Sequence, residues 1–203
     1  MKRRITQILM AALCLLAVTG VQAQTNNARS ILDKVAKNVN NPSGAQASFK
    51  IQGEGISSSG TIAIKGNKFR ATTPEGVGWF DGKTQWTYMK SSEEVNVSTP
   101  DPKQQARMNP YYFISLYKKG YAMTSKNVSS GYEVHLTAQT KNQPMQEIYI
   151  TVSKGYLPTK VRFLQKGKWT TITVSDFKAS KQSDSSFTFR EKDYPNAEVI
   201  DLR

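Results

Sequence analysis

Apolar residues recur along this chain in two rhythms, one helical and one of strict alternation. In "NNARSILDKVAKNVN", Ala28, Ile31, Leu32, Val35 and Val39 fall three or four apart, which puts them on one face of a helix. Asn26 or Asn27 is placed to cap that helix, and Pro42-Ser43-Gly44 stops it. From Ala45 onward the period is two. Ala45, Ala47, Phe49 and Ile51 alternate with polar residues, as do Ile62 with Ile64, Trp86 with Tyr88, and Val95 with Val97. The second half repeats the rhythm in Tyr132, Val134 and Leu136, then Ile148, Ile150 and Val152, then Val161 and Phe163, then Ile172 and Val174. Turns at Gly131, Gly155-Tyr156-Leu157-Pro158 and Gly167 separate these runs. The pattern predicts a mainly β chain, about ten or eleven short strands in an antiparallel meander. Several strands are apolar on one face only, so that face needs a cover or a filling.

Two stretches refine this picture. "WFDGKTQWTY", residues 79–88, places an Asp-Gly pair between aromatic runs. It predicts a type I′ hairpin joining strands at 78–80 and 84–89. The aromatics themselves either pack the sheet or face a ligand. In the middle of the chain, Pro100-Asp101-Pro102 opens a short helix, "KQQARM", and Asn109-Pro110 starts a second, "YYFISLYKKG", that Gly120 ends. Tyr111, Tyr112, Phe113, Ile114, Leu116 and Tyr117 wrap nearly all round that second helix, so it is expected to be enclosed.

The N-terminus has the form of an export signal. Lys2, Arg3 and Arg4 precede the apolar run Ile5–Val18, and Val21-Gln22-Ala23 offers small residues where a signal peptidase cuts. Cleavage after Ala23 is expected, leaving residues 24–203 as one domain. Cys14 follows Leu13, where lipidation requires a small residue, so the lone cysteine goes with the leader and no disulfide is expected. The formal net charge is +13, and three of those cations sit in the leader. With no clustered basic run and an exported chain, nucleic acid is not an expected partner. The charge either serves solubility or favours transient contact with an anionic membrane surface.

Catalytic chemistry finds no support in the pattern. The single histidine, His135, shares a strand face with Glu133 and Thr137, opposite Val134 and Leu136, and is expected to face solvent. No Cys/His metal spacing occurs, and no serine motif has a histidine to serve it. A non-enzyme without a cofactor is expected.

The order of elements is itself informative. An amphipathic helix leads into "AQASFKI", "GTIAIKGNKFR", "WFDGKTQWTY" and "EEVNVS"; the "MNPYYFISLY" helix follows, and "FTFREKDYPNAEVIDL" ends the chain. This resembles the LolA-like periplasmic lipoprotein carriers over residues 24–203. The sharpest matches are Asp81-Gly82-Lys83-Thr84 with Trp86 and Tyr88, and Phe187-x-Phe189 with Val199-Ile200-Asp201.

The resemblance implies an incomplete antiparallel β-barrel whose concave apolar face is closed by helices. It implies a periplasmic carrier, monomeric, that shields the acyl chains of lipoproteins. Its implied partners are an inner-membrane lipoprotein-releasing transporter and an outer-membrane acceptor. Phe49, Ile62, Ile64, Phe69, Trp86, Tyr88, Phe113, Leu116, Ile148, Ile150 and Phe163 are expected to line the acyl cavity. The family carries an Arg-Pro pair after the strand matching "GTIAIK", its arginine holding the lid closed. Gly66 or Asn67 stands there in this chain, so either Arg70, the lid-gating candidate, takes over that contact or the lid is held differently. Two alternatives use the same half-barrel: an envelope lipid or glycolipid binder, and a lipid-sensing regulator. Regulators of that kind carry a second domain, which residues 24–203 are not expected to form.

Overall fold

The computed structural model describes residues 27–101, 104 and 116–203. The expected leader and its cleavage site lie outside these residues, as do Phe113 and most of the two stretches expected to form central helices. Helix α1 covers residues 27–39. It is followed by twelve strands: β1 (Ala45–Gly53), β2 (Ile56–Lys65), β3 (Lys68–Thr72), β4 (Gly76–Phe80), β5 (Gln85–Met89), β6 (Glu94–Ser98), β7 (Tyr121–Val128), β8 (Gly131–Ala138), β9 (Glu147–Ser153), β10 (Pro158–Gln165), β11 (Lys168–Ala179) and β12 (Glu198–Asp201).

All twelve belong to one sheet, in the order β12-β6-β5-β4-β3-β2-β1-β11-β10-β9-β8-β7. The sheet stays open, with β12 and β7 at its edges, which is an incomplete barrel as the sequence implied. Every neighbouring pair is antiparallel except β12 with β6, which is parallel. The described residues form twelve strands, where about ten or eleven were expected. β7 alternates only weakly, and β12 is a four-residue edge strand with mostly exposed side chains.

Helix α1 lies on one face of this sheet. Ala28, Ile31, Leu32, Val35 and Val39 are all buried there, against Val134 and Leu136 of β8 and Ile148, Ile150 and Val152 of β9. Polar contacts hold the helix at its rim. Asn27 donates to Ser125 Oγ at 3.2 Å, Lys34 to Tyr156 Oη at 3.2 Å, and Asn38 to the carbonyls of Gly155 and Tyr156 at 3.0 and 3.2 Å. The Lys34 ammonium also sits 4.4 Å from the centre of the Tyr156 ring, a cation–π contact.

Register fixes which side each strand residue faces. Ala45, Ile64, Phe69 and Phe80 form one cross-strand row on the helix side, through the pairs Ala45↔Ile64, Ile64↔Phe69 and Phe69↔Phe80. In β11, Asp176 adopts φ +53°, where the pairing with β1 slips by one residue between Ser48 and Gln46. That bulge turns Phe177 back towards the core instead of away from it.

The Asp-Gly hairpin differs from its expected type. Only Gly82 has positive φ, +104°, whereas type I′ needs it at both central residues. Asp81 sits one place earlier. Its carboxylate accepts from the Lys83 and Thr84 amides at 2.8 and 2.7 Å, locking the turn from outside.

Gly60 has a steric role. A Cβ there would lie 2.0 Å from the Thr72 carbonyl oxygen and 3.2 Å from the tip of the Phe49 ring. Gly60→Ala should therefore lower stability by about 1–3 kcal/mol, read as a reduced denaturant midpoint.

Candidate functional site

The helix-side face is not covered evenly. Over β8 and β9, Val134, Leu136, Ile148, Ile150 and Val152 are fully buried in the cluster they share with α1. Over β1–β5, one row further along the strands, apolar side chains stand half-exposed among very small ones. Phe49 pairs with Gly60, and Ile62 with Ala71; Ala71 pairs with Gly78, and Gly78 with Thr87. Gly60, Ala71 and Gly78 thus form a floor, with Phe49, Ile62, Phe69 and Phe80 standing around it. No atom lies within 4 Å of where a Cβ on Gly78 would point, among the described residues.

Beyond Gly78 the same face turns polar without becoming strongly charged. Thr87 and Asn96 pair across β5 and β6, as do Gln85 and Ser98. A cavity of about 560 Å³ opens beside them, bounded by Gln85, Ser98, Thr99, Gln104, Leu202 and Arg203, whose guanidinium is paired with Asp201. The face therefore runs from an aliphatic end to an end of amides and hydroxyls.

Of the eleven residues expected to line a cavity, Phe49, Ile62, Ile64, Phe69, Ile148, Ile150 and Phe163 face the helix side. Ile148 and Ile150 are completely buried beneath α1, so they support the floor from a distance and contact no ligand in this conformation. Leu116 is buried in the same core. Phe113 lies outside the described residues.

Trp86 and Tyr88 point the other way. They belong to a second apolar cluster on the outer face, with Trp79, Val95, Val97 and Phe189. The C-terminal segment crosses that face and brings Phe189 and Tyr194 onto Trp79, at ring-centre distances of 5.6 and 5.5 Å. Alternation reveals that Trp86 and Tyr88 share a face; it does not reveal that a distant segment covers it. The question of what these aromatics face thus has two answers: Phe80 looks into the helix side, and Trp79, Trp86 and Tyr88 pack outside.

Arg70 also lies on the outer face, because it alternates with Phe69 and pairs with Trp79. A lid on the helix side is on the far side of the sheet from it, so Arg70 does not fit the role of the family's lid arginine. A different contact joins the end of the central segment to α1. Tyr117, just after Leu116 in a short 3₁₀ turn, donates its hydroxyl to Asp33 of the helix. The Arg29 guanidinium lies 5.8 Å from the centre of its ring.

Burial, then the bond to Asp33, pushes the Tyr117 hydroxyl up from 10.0 to about 12. A raised folded value means this contribution to stability is complete below pH 10 and is lost as pH climbs through about 12. Tyr117→Phe should remove that alkaline loss. The check is the denaturant midpoint of both proteins at about pH 9 and about pH 11.5, with the wild type falling more between the two.

His135 takes part in an outer-face stack. Its ring lies 4.1 Å from that of Tyr149 and nearly parallel to it, and its Nε2 is 3.1 Å from Glu147. No grouping of three potential metal ligands occurs among the described residues. No helix among them is long and apolar enough to cross a membrane.

Comparison with known proteins decides the family. Residues 18–168 match the family described as outer membrane lipoprotein carrier protein LolA. The chain belongs to the LolA family. Among solved structures, an uncharacterized conserved protein from Thermus thermophilus superposes with a TM-score of 0.58 at 16% identity, over 86% of this chain and 99% of that one. At this identity the likeness is one of fold. A LolA superfamily protein from Nitrosomonas europaea also aligns, at 15% identity and TM-score 0.41, over 80% of this chain and 97% of its own. No protein of curated function matches in sequence. The LolA match covers α1 and every strand through β10, hence the whole of the helix-side floor.

Proposed function

We propose that this LolA family member is a periplasmic carrier that holds the acyl chains of lipoproteins on the helix-side face during transfer towards the outer membrane. The observation that carries the reading is the half-exposed apolar floor around Gly78, which no described residue fills. From Phe49 on β1 to Gly78 on β4 the floor crosses four strands, about 14 Å at the usual strand spacing of ~4.8 Å. One leaflet of a bilayer, half of a ~30 Å hydrocarbon core, holds acyl chains of about the same length. An acyl chain laid across these strands spans that floor and brings its ester or amide end to Thr87 and Asn96.

The energetic need is plain. Each methylene withdrawn from water contributes ~0.8 kcal/mol, so a long acyl chain resists crossing an aqueous compartment by on the order of 10 kcal/mol. A carrier must recover most of that on loading and surrender it on release. The amides and hydroxyls of Gln85, Thr87, Asn96 and Ser98 can bond the ester or amide linkage of an acylated peptide. In this reading the protein acts as a monomer, without a cofactor or a chemical step. It receives cargo from an inner-membrane transporter and gives it to an outer-membrane acceptor.

The test is to displace an environment-sensitive apolar dye with an acylated lipopeptide. The acylated form should displace the dye, and the same peptide without acyl chains should not. Mass spectrometry of material that co-purifies from the native periplasm separates the cargoes: acylated polypeptides support the proposal, and free lipid or glycolipid alone overturns its lipoprotein part.

A further inference from the structure

The outer face carries a hollow of quite different chemistry from the helix-side floor. After β11 the chain crosses the outside of the sheet as a strap, residues 180–197. Asp184 ties its start down, taking bonds from Lys65 at 3.3 Å and Lys68 at 2.9 Å. Phe187, fully buried, and Phe189 anchor it further along. Between this strap and the outer faces of β3 and β4 lies a cavity of about 410 Å³. Arg70, Arg190, Asp193, Ser185, Ser186 and Thr188 supply most of its polar lining, and Trp79 and Tyr194 stand at its walls.

The charges in this cavity are unequally matched. Arg190 is paired with Asp193 at 2.6 Å. Arg70 has no carboxylate within ion-pair distance among the described residues, yet it also borders a neighbouring cavity of about 290 Å³ with Lys178 and Asp176. Asp176 already accepts the Ser175 hydroxyl at 3.1 Å. A guanidinium without a carboxylate partner among the described residues therefore borders two polar hollows, one of which it shares with three strap hydroxyls, that of Ser185 already bonded to Ser183 at 2.9 Å. Guanidinium nitrogens donate in a planar fork that suits a tetrahedral oxyanion, and hydroxyls donate to its remaining oxygens.

We propose that this strap cavity is a binding site for a phosphate ester, with Arg70 as its principal anion contact. The size leaves room for a glycerol- or sugar-sized substituent against Trp79 and Val77. Phosphate esters come from two sources here, soluble metabolites and phospholipid headgroups. The site is independent of the acyl floor, which lies on the other side of the sheet.

The experiment records amide and indole signals of the full chain in separate titrations with inorganic phosphate, glycerol phosphate and vesicles of phosphatidylglycerol. Chloride at matched ionic strength and phosphatidylcholine vesicles serve as controls. The expected result is a saturable response at Arg70, Ser185, Thr188 and the Trp79 indole that the controls do not give. Arg70→Gln, at an exposed position, should weaken it about tenfold or more while dye binding on the helix side is unchanged. A response to the soluble esters assigns the site to free phosphate esters, and a response to phosphatidylglycerol vesicles alone assigns it to headgroups. No saturable response to any of the three, or a response that survives Arg70→Gln, overturns the proposal. Since dye binding is read in the same samples, failure here is distinct from failure of the carrier reading.

Discussion

Replacing Gly78 by leucine should weaken acyl-chain binding about a hundredfold and leave the sheet folded. The position is permissive for folding, because no described atom stands within 4 Å of the new Cβ and the backbone there has no positive φ. It is not permissive for cargo. A leucine side chain would occupy the space of about four methylenes, and four at ~0.8 kcal/mol amount to about 3 kcal/mol, or roughly two powers of ten in affinity. The measurement is dye and lipopeptide affinity in parallel with thermal unfolding. A folded variant with wild-type affinity would show that cargo does not cross β4.

The second large effect concerns the cover. Leu32 is completely buried at the centre of the α1 contact surface. Leu32→Ala should cost about 2–5 kcal/mol of stability, because the helix is pinned at its rim and cannot settle fully into the space left behind. Denaturant unfolding reads this directly. The loss should appear across β7–β9 amide exchange as well as in α1, since both sides of the contact share the cavity. A loss below about 0.5 kcal/mol would mean that α1 packs more loosely than its complete burial indicates.

Much of this architecture is legible in the residues themselves. The five apolar residues of α1 fall on its buried stripe, since a helix against a sheet needs one continuous face. The single open sheet follows from alternation without intervening helices. Twelve strands instead of ten or eleven reflects β7 and β12. "YAMTSKNV" alternates only through Tyr121 and Met123, and β12 gains its place from backbone pairing with β6 more than from side-chain burial.

The candidate site is legible only in part. Phe49, Ile62 and Phe69 share the helix-side face. Trp86 and Tyr88 depart from expectation because a period of two gives the phase of a strand but not which phase faces in. The signal that corrects them lies in their neighbours. Gly76, Gly78, Thr87 and Asn96 occupy the opposite phase, and such small or neutral polar residues leave room on a face instead of packing it. The strap that covers the aromatics announces itself only as Phe187-x-Phe189 and Tyr194, far away in sequence. Arg70 departs for a related reason: a resemblance gives a position along the chain, whereas the side of the sheet depends on register.

Locating a bound acyl chain would decide whether the helix-side face is the carrier surface. A lipopeptide with a spin label in its acyl chain should broaden the side-chain methyl signals of Ala71 and Ile62, on the helix side. It should broaden Val77, Val95 and Val97, on the outer face, distinctly less. Steepest broadening at Ala71, Ile62 and their helix-side neighbours is the expected result. Stronger broadening of the Val95 and Val97 methyls than of Ala71 and Ile62 would place the chain on the wrong side of the sheet and contradict the carrier reading.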